Sequence, residues 1–224
     1  MKTTTAIFCD FDGTISRRDV GYALFHHFSG GRNDALLPAW KNLQMSSREC
    51  LSAEAAMVSG SAEEIHQFLA QFEIDHGFSA FEQLCVRNEV PVHILSDGLD
   101  LYINPILHRN GLGHLPVMSN IGRLNGSGLE IDFPWDNTSC TRCGCCKGER
   151  MAEYRAVRTD SSVRLAFVGD GYSVICAVGQ ADLLLAKKDL AGYCTERNIP
   201  FVPFDNFADV SEILIDNGYL RRDV

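Results

Sequence analysis

The chain has 224 residues, of which 46% are hydrophobic and 22% charged, and a formal net charge of −9. That length supplies one large domain, or a core with a smaller insert, with ample apolar material to pack. The acidic balance argues against a general nucleic-acid binder, which presents a basic face, and no apolar run is long enough to span a membrane.

The opening MKTTTAIFCD holds too short an apolar run before its first carboxylate for a secretory signal. Of the nine cysteines, Cys9, Cys50, Cys85, Cys176 and Cys194 are scattered, several within apolar runs. Free thiols in a reducing cytoplasm suit that spread better than a disulfide framework.

Residues 5–10, TAIFCD, read as a short buried strand. The pattern then turns helical from Asp19 to about Asn88. SSRECLSAEAAM and FSAFEQLCVRN fit helices. In SAEEIHQFLAQF, Ser61 and Glu64 form a capping box, with Ile65, Phe68, Leu69 and Phe72 on one face. VPVHILSDG is the next strand, LDLYINPILHRNG a helix closed by Gly111, and PVMSNI a strand. GRLNGSGLEIDF predicts a hairpin turning at Asn125 to Gly128. A helix from about Gly148 to Val157 precedes the strand VRLAFVGDG. Another helix, the strand ADLLLA, the helix LAGYCTERN, the short strand PFVPF and the helix FADVSEILIDNG complete the chain.

Strands alternating with helices imply an α/β fold: a doubly wound, mostly parallel sheet covered on both faces. The helical block interrupts the alternation after the first strand. It predicts a helical cap domain at 17–87 inserted into a catalytic core of 1–16 and 88–224. Ligands of such sheets bind at the carboxyl ends of the strands, near the topological switch point.

Three strands end in polar signatures there: Asp10 and Asp12, then Ser96-Asp97-Gly98, then Gly169-Asp170-Gly171. In extended chain Asp10 and Asp12 point to one side and Phe11 to the other. Two carboxylates that close repel, so one is protonated or a cation lies between them. Hard oxygen donors joined by Asp170 suit Mg2+.

DFDGT, then the serine of ILSDG, then Lys147, then VGDG, in this order, resembles the haloacid dehalogenase superfamily of phosphatases over essentially the whole chain. The helical insert resembles the phosphoserine-phosphatase type of cap. SDGLDLYINPIL, the hairpin, CGCCK and the stretch from ADLLLA to NFADV are similar to the 2-hydroxy-3-keto-5-methylthiopentenyl-1-phosphate phosphatases of methionine salvage. The resemblance implies a Mg2+-dependent phosphomonoesterase acting on a small phosphate ester. In it Asp10 is the nucleophile, forming an aspartyl-phosphate, and Asp12 the general acid and base. Mg2+ lies among Asp10, the carbonyl of Asp12 and Asp170, while Ser96 and Lys147 hold the phosphoryl group. Asp97 and Gly98 join the substrate site. Asp19 is either a ligand for a substrate amine or simply a helix N-terminal carboxylate. An amine ligand would favour phosphoserine, phosphocholine or phosphoethanolamine as substrate.

One position departs from the pattern. The resemblance leads one to expect a second aspartate four residues after Asp170, where Val174 stands. One turn past Asp170, Val174 is expected beside the metal. Its lack of a carboxylate keeps open a non-catalytic, phosphate-binding alternative. CTRCGCCK sets Cys140, Cys143, Cys145 and Cys146 just before Lys147. Cys145 and Cys146 are adjacent, a spacing too tight for an ordinary zinc knuckle. Free thiols are therefore preferred here to a structural Zn2+ on these four. Oligomeric state is not legible in the sequence.

Overall fold

The computed structural model describes residues 3–126, 128–158 and 162–222. β1 (Thr3–Cys9), β2 (Val92–Leu99), β3 (Val117–Asn125), β4 (Gly128–Asp132), β5 (Ser162–Gly169), β6 (Leu183–Ala186) and β7 (Val202–Pro203) form one sheet. Its order is β4-β3-β2-β1-β5-β6-β7. Only the β3–β4 hairpin is antiparallel; every other neighbouring pair is parallel. The expected hairpin is present, although Ser127 of its turn lies outside the described residues.

The strands are apolar on both sides because both sides are covered. In β1, Ile7 and Cys9 enter one core cluster while Ala6 and Phe8 enter the other. β5 does the same, with Ala166 and Val168 against Leu165 and Phe167. α6 (Asp100–Arg109) and α10 (Phe207–Asp216) pack on the first face, through Tyr102, Ile103 and Ile106 and through Phe207, Val210 and Leu214. α7 (Lys147–Ala156) and α9 (Lys188–Glu196) cover the second, through Met151, Leu190 and Cys194.

Between β1 and β2 lie α1 (Val20–Ser29), α2 (Leu37–Lys41), α3 (Ser47–Ala55), α4 (Ala62–Leu69) and α5 (Phe78–Arg87). The capping box at Ser61 and Glu64 starts α4, and an equivalent one at Ser46 and Glu49 starts α3. Each satisfies two otherwise orphaned N–H groups. Ile65, Leu69 and Phe72 are buried and Phe68 packs against them, as the spacing predicts. α5 turns away from the other four. Its Phe78 and Phe81 rings lie 4.7 and 5.1 Å from the ring of Phe207 on α10, so α5 belongs to the layer beside the sheet.

Chain order runs outward from β1 through β2, β3 and β4, then returns to the other side of β1 for β5, β6 and β7. The switch point is therefore β1. Cys9 pairs with both Ile94 and Val168, which sets the ends of β1, β2 and β5 side by side.

Candidate active site

β1 ends at Cys9, and the amide of Asp10 still bonds the carbonyl of Val168 at 2.9 Å. Residues Phe11–Ile15 then make one tight turn in which Gly13 has φ +68°. Glycine suits it twice over: the left-handed backbone disfavours a side chain, and a Cβ there would lie 2.2 Å from Oδ2 of Asp170. The turn thus brings the ends of β1 and β5 into contact.

Asp10 is buried. Its Oδ1 accepts from the amide of Phe11 at 2.8 Å and faces Nζ of Lys147 at 3.4 Å. Burial pushes the Asp10 carboxyl up to about 7, against the pull of Lys147 and with the push of Asp170. Lys147 is fully buried at the start of α7, its Nζ donating to Oγ of Ser173 at 2.9 Å. Burial disfavours the ammonium, but the charges of Asp10 and Asp97 outweigh that and hold its pKa above the ordinary value.

Asp12 is clamped from two sides. Oδ1 accepts from the amides of Val20 and Gly21 at the head of α1, and Oδ2 from the hydroxyl of Tyr102 at 2.7 Å. Burial and the neighbouring Asp19 push its carboxyl well above the usual range. A carboxyl that holds its proton more tightly than usual suits donation to a leaving oxygen. Asp19 caps α1 by accepting from the amide of Tyr22 at 2.8 Å, and it also lines the cavity.

Asp170 accepts from Oγ1 of Thr14 at 3.2 Å and from Nζ of Lys188 at 2.9 Å. Lys188 also donates to the carbonyl of Gly13 at 3.1 Å. Its own φ is +48°, a conformation that costs a non-glycine residue about 1–3 kcal/mol and concentrates at working sites. Ser96 accepts from the amide of Gly98 at 3.0 Å, leaving its hydroxyl proton to donate elsewhere. Gly98 has no room for a side chain: a Cβ would lie 2.0 Å from the Tyr102 hydroxyl and 2.5 Å from Oδ2 of Asp12. The carboxylate of Asp97 is turned to the cysteine loop, where Oδ1 accepts from the amides of Gly144 and Cys145, both at 2.9 Å.

Asp10, Asp12, Asp19, Ser96, Asp97, Gly98 and Asp170 all border one cavity of about 420 Å³, and Lys147 stands behind Asp10. Phe25, Leu37, Trp40 and Leu51 line its apolar part and Glu54 adds a carboxylate.

Two expectations are corrected. Val174 is not beside the carboxylates. It is fully buried in the second core cluster, 3.4 Å from where a Cβ on Gly169 would stand, because residues Tyr172–Val174 turn as a tight 3-10 helix. Ser173 is the residue of that turn that faces Lys147. The cysteines regroup as well. The sulfurs of Cys140, Cys143, Cys146 and Cys176 all lie within 4.8 Å of one another. Cys145 points away, its thiol directed at the carbonyl of Met118 at 3.5 Å. Adjacent residues leave the backbone on different sides, so Cys145 and Cys146 do not share one centre.

Tyr102, Lys188 and Cys176 escaped the sequence reading. Tyr102 sits in an ordinary helical pattern and Cys176 in an apolar run. Lys188 had one weak signal, a Lys-Lys pair directly after a strand.

The family described as Putative Phosphatase matches residues 5–200. The 2-hydroxy-3-keto-5-methylthiopentenyl-1-phosphate phosphatase of Lysinibacillus sphaericus (strain C3-41) is 30% identical over 220 residues, covering 93% of this chain and 92% of the relative. The protein of the same name from Bacillus thuringiensis (strain Al Hakam) is 26% identical over 211 residues, covering 91% and 93%. A solved structure described as a phospho-aspartyl intermediate analogue of phosphoserine phosphatase superposes with a TM-score of 0.71 at 17% identity, covering 98% of this chain and 100% of that one. A haloacid-dehalogenase-family hydrolase from Salmonella enterica serovar Typhi gives 0.72 at 16% identity, covering 98% and 72%. At such identities the superpositions speak for the fold, and the sequence matches speak for the family. The chain is a phosphatase and belongs to the Putative Phosphatase family.

Proposed function

We propose that this phosphatase is a Mg2+-dependent phosphomonoesterase working through an aspartyl-phosphate on Asp10, with 2-hydroxy-3-keto-5-methylthiopentenyl-1-phosphate, a methionine-salvage metabolite, as its substrate. The observation that carries the chemistry is Asp10 buried between Lys147 and Asp170 at the switch point of the sheet. The donor set fits Mg2+. The charge of Asp170 raises the cost of charging Asp10, and the hard oxygens of both residues, with the carbonyl of Asp12, are what that ion takes. Mg2+ bound there would offset negative charge on the transferring phosphoryl group.

In the reading we favour, a carboxylate oxygen of Asp10 attacks phosphorus. The bond to the leaving oxygen breaks as that oxygen takes the proton of Asp12. Asp12, now a carboxylate, then removes a proton from water, which attacks the aspartyl-phosphate and releases phosphate and free Asp10. Lys147 balances charge on Asp10 and the phosphoryl oxygens. The hydroxyl of Ser96, held from behind by the amide of Gly98, and the amide of Asp97 bind a further oxygen. The relative named as a phospho-aspartyl intermediate analogue supports the covalent route by likeness of fold.

The cap in this proposal is α1 to α4, set over the cavity. Its apolar residues Phe25, Leu37, Trp40 and Leu51 suit a thioether end, and the names of the sequence relatives point the same way. An amine-bearing substrate is the second reading, favoured by Asp19 and Glu54 in the same cavity. The nine free cysteines fit a reducing cytoplasm.

Asp10→Asn is expected to keep the fold and lose turnover and acid-stable phosphate labelling together, because an amide does not attack phosphorus. Near-normal activity of that variant would refute the covalent route. Specificity is decided by comparing kcat/KM for the methylthiopentenyl ester, phosphoserine and phosphoethanolamine at saturating Mg2+. A preference for either amine ester moves the substrate to the second reading.

A further inference from the structure

We infer that Cys140, Cys143, Cys146 and Cys176 form a tetrathiolate Zn2+ site that joins the loop before Lys147 to the segment after Asp170. The sequence spacing Cys-x2-Cys-x2-Cys accounts for three ligands on one loop, and the fold brings the fourth from the start of α8 (Ile175–Val178). The four sulfurs lie within 4.8 Å of one another. Cys176 is 3.9 Å from Cys140 and 3.8 Å from Cys143, sulfur to sulfur. A tetrahedron with Zn–S bonds of about 2.3 Å has edges of about 3.8 Å. The spacing therefore matches one metal ion. It is too long for a disulfide, whose sulfurs are about 2.05 Å apart. The closed set of four sulfurs leaves no position for substrate, as in structural zinc sites.

The surroundings hold this shape independently of the thiols. Glu149 accepts from the amides of Thr138, Ser139 and Cys140 at 2.7 to 2.8 Å, which fixes the first arm of the loop. Asp97 fixes the second arm through the amides of Gly144 and Cys145. The amide of Cys143 points at the sulfur of Cys140 at 3.5 Å, an N–H to sulfur contact that supports a thiolate. At Gly148 a Cβ would lie 2.1 Å from the carbonyl oxygen of Cys176, so only glycine lets the two ligand-bearing segments meet. Lys147 directly follows a ligand, and Ser173, which receives its ammonium, lies three residues before another. The ion would thus fix a positioning frame for Lys147 while standing outside the reaction.

The test uses the full chain purified under reducing conditions without chelator. Elemental analysis should find about one zinc per chain, and X-ray absorption should find four sulfurs at about 2.3 Å. Replacement by Co2+ should give the intense thiolate charge-transfer bands of tetrahedral S4 coordination. Cys145→Ser should retain the metal, whereas Cys176→Ser, at an exposed position, should lose most of it with an unchanged far-ultraviolet spectrum. Failure to take up Zn2+, iron in its place, nitrogen or oxygen ligands in the absorption data, or metal kept by Cys176→Ser but lost by Cys145→Ser would each overturn the assignment. The absorption measurement on the wild-type chain stands even if a variant misfolds.

Discussion

Glu54 is a buried carboxylate of α3 at the edge of the cavity, 5% exposed, with one side-chain amide, that of Asn33, donating to it at 3.2 Å. One neutral donor does not replace the water it loses, and burial pushes its pKa from the ordinary 4.5 to about 7, with Asp19 and Asp34 adding to the rise. A carboxyl whose pKa rises on folding holds its proton more tightly in the folded state. Its stabilising contribution is complete below the unfolded value near 4.5 and is lost as pH climbs to about 7. Glu54→Gln keeps an acceptor for Asn33 and removes the titration. We expect the variant to be more stable than wild type at pH 8, by on the order of 1–3 kcal/mol, with the gap closing toward pH 4.5. Urea midpoints at several pH values measure this, and parallel curves would rule it out. Sequence reasoning passed over Glu54 because a glutamate inside SSRECLSAEAAM looks like any solvated helix residue. Asp12, Asp97 and Asp170 were visible because each lies at the end of an apolar run beside glycine or serine, and Asp10 because it ends the run Ile7-Phe8-Cys9 two residues before Asp12. Tyr102 was not, since a phenol on an amphipathic helix carries no sign that its hydroxyl reaches an aspartate 90 residues earlier.

α7 shows how an element can be set by a contact that its own sequence does not announce. Its helical pattern and its start near Gly148 are legible, and so are the capping boxes of α3 and α4, because each is a local rule within four residues. The abutment of Gly148 on the backbone of Cys176 is not, since that contact spans the whole of β5. The same gap explains Val174. Counting four residues from Asp170 assumes a continuous helix, but Gly171 and the 3-10 turn rotate the side chain into the core. A methyl at 148 meets a backbone carbonyl rather than a yielding side chain, so the segments must part. Gly148→Ala should cost about 1–3 kcal/mol, the usual range for overpacking. It should also lower kcat, because Lys147 is the preceding residue. Equilibrium unfolding and steady-state kinetics on one preparation test both. Unchanged stability would show that α7 and the Cys176 segment are free to slide.

Across the whole molecule the proposed cap, α1 to α4, is latched at the cysteine loop. Arg142 donates to the carbonyls of Leu43 and Met45 at 2.9 and 2.7 Å, and Arg48 returns two bonds to the carbonyls of Cys143 and Trp135, both at 2.9 Å. Lys41 meets Asp189 at 3.3 Å nearer the cavity, where Trp40 stands over Tyr172. The segment between α2 and α3 turns through Leu43 with φ +61°, a conformation that a leucine holds only when its surroundings impose it. The two bonds from Arg142 are that imposition. A hydrogen bond from a charged donor contributes about 1.5–3 kcal/mol when buried and less here, where Arg142 is only half-buried. Arg142→Ala should therefore speed hydrogen exchange at the amides of Gln44 and Met45, which now bond Ala39, by roughly ten-fold, as the loss of about 1.4 kcal/mol implies. The sheet amides of β1 and β5 should exchange as before. On the proposed function KM for the phosphate ester should rise with kcat little changed, since α1 to α4 would touch the substrate's tail while Asp10, Asp12 and Lys147 stay in place. Equal exchange at Gln44 and Met45 in both proteins would mean that the cap is held by Arg48 and its own packing instead.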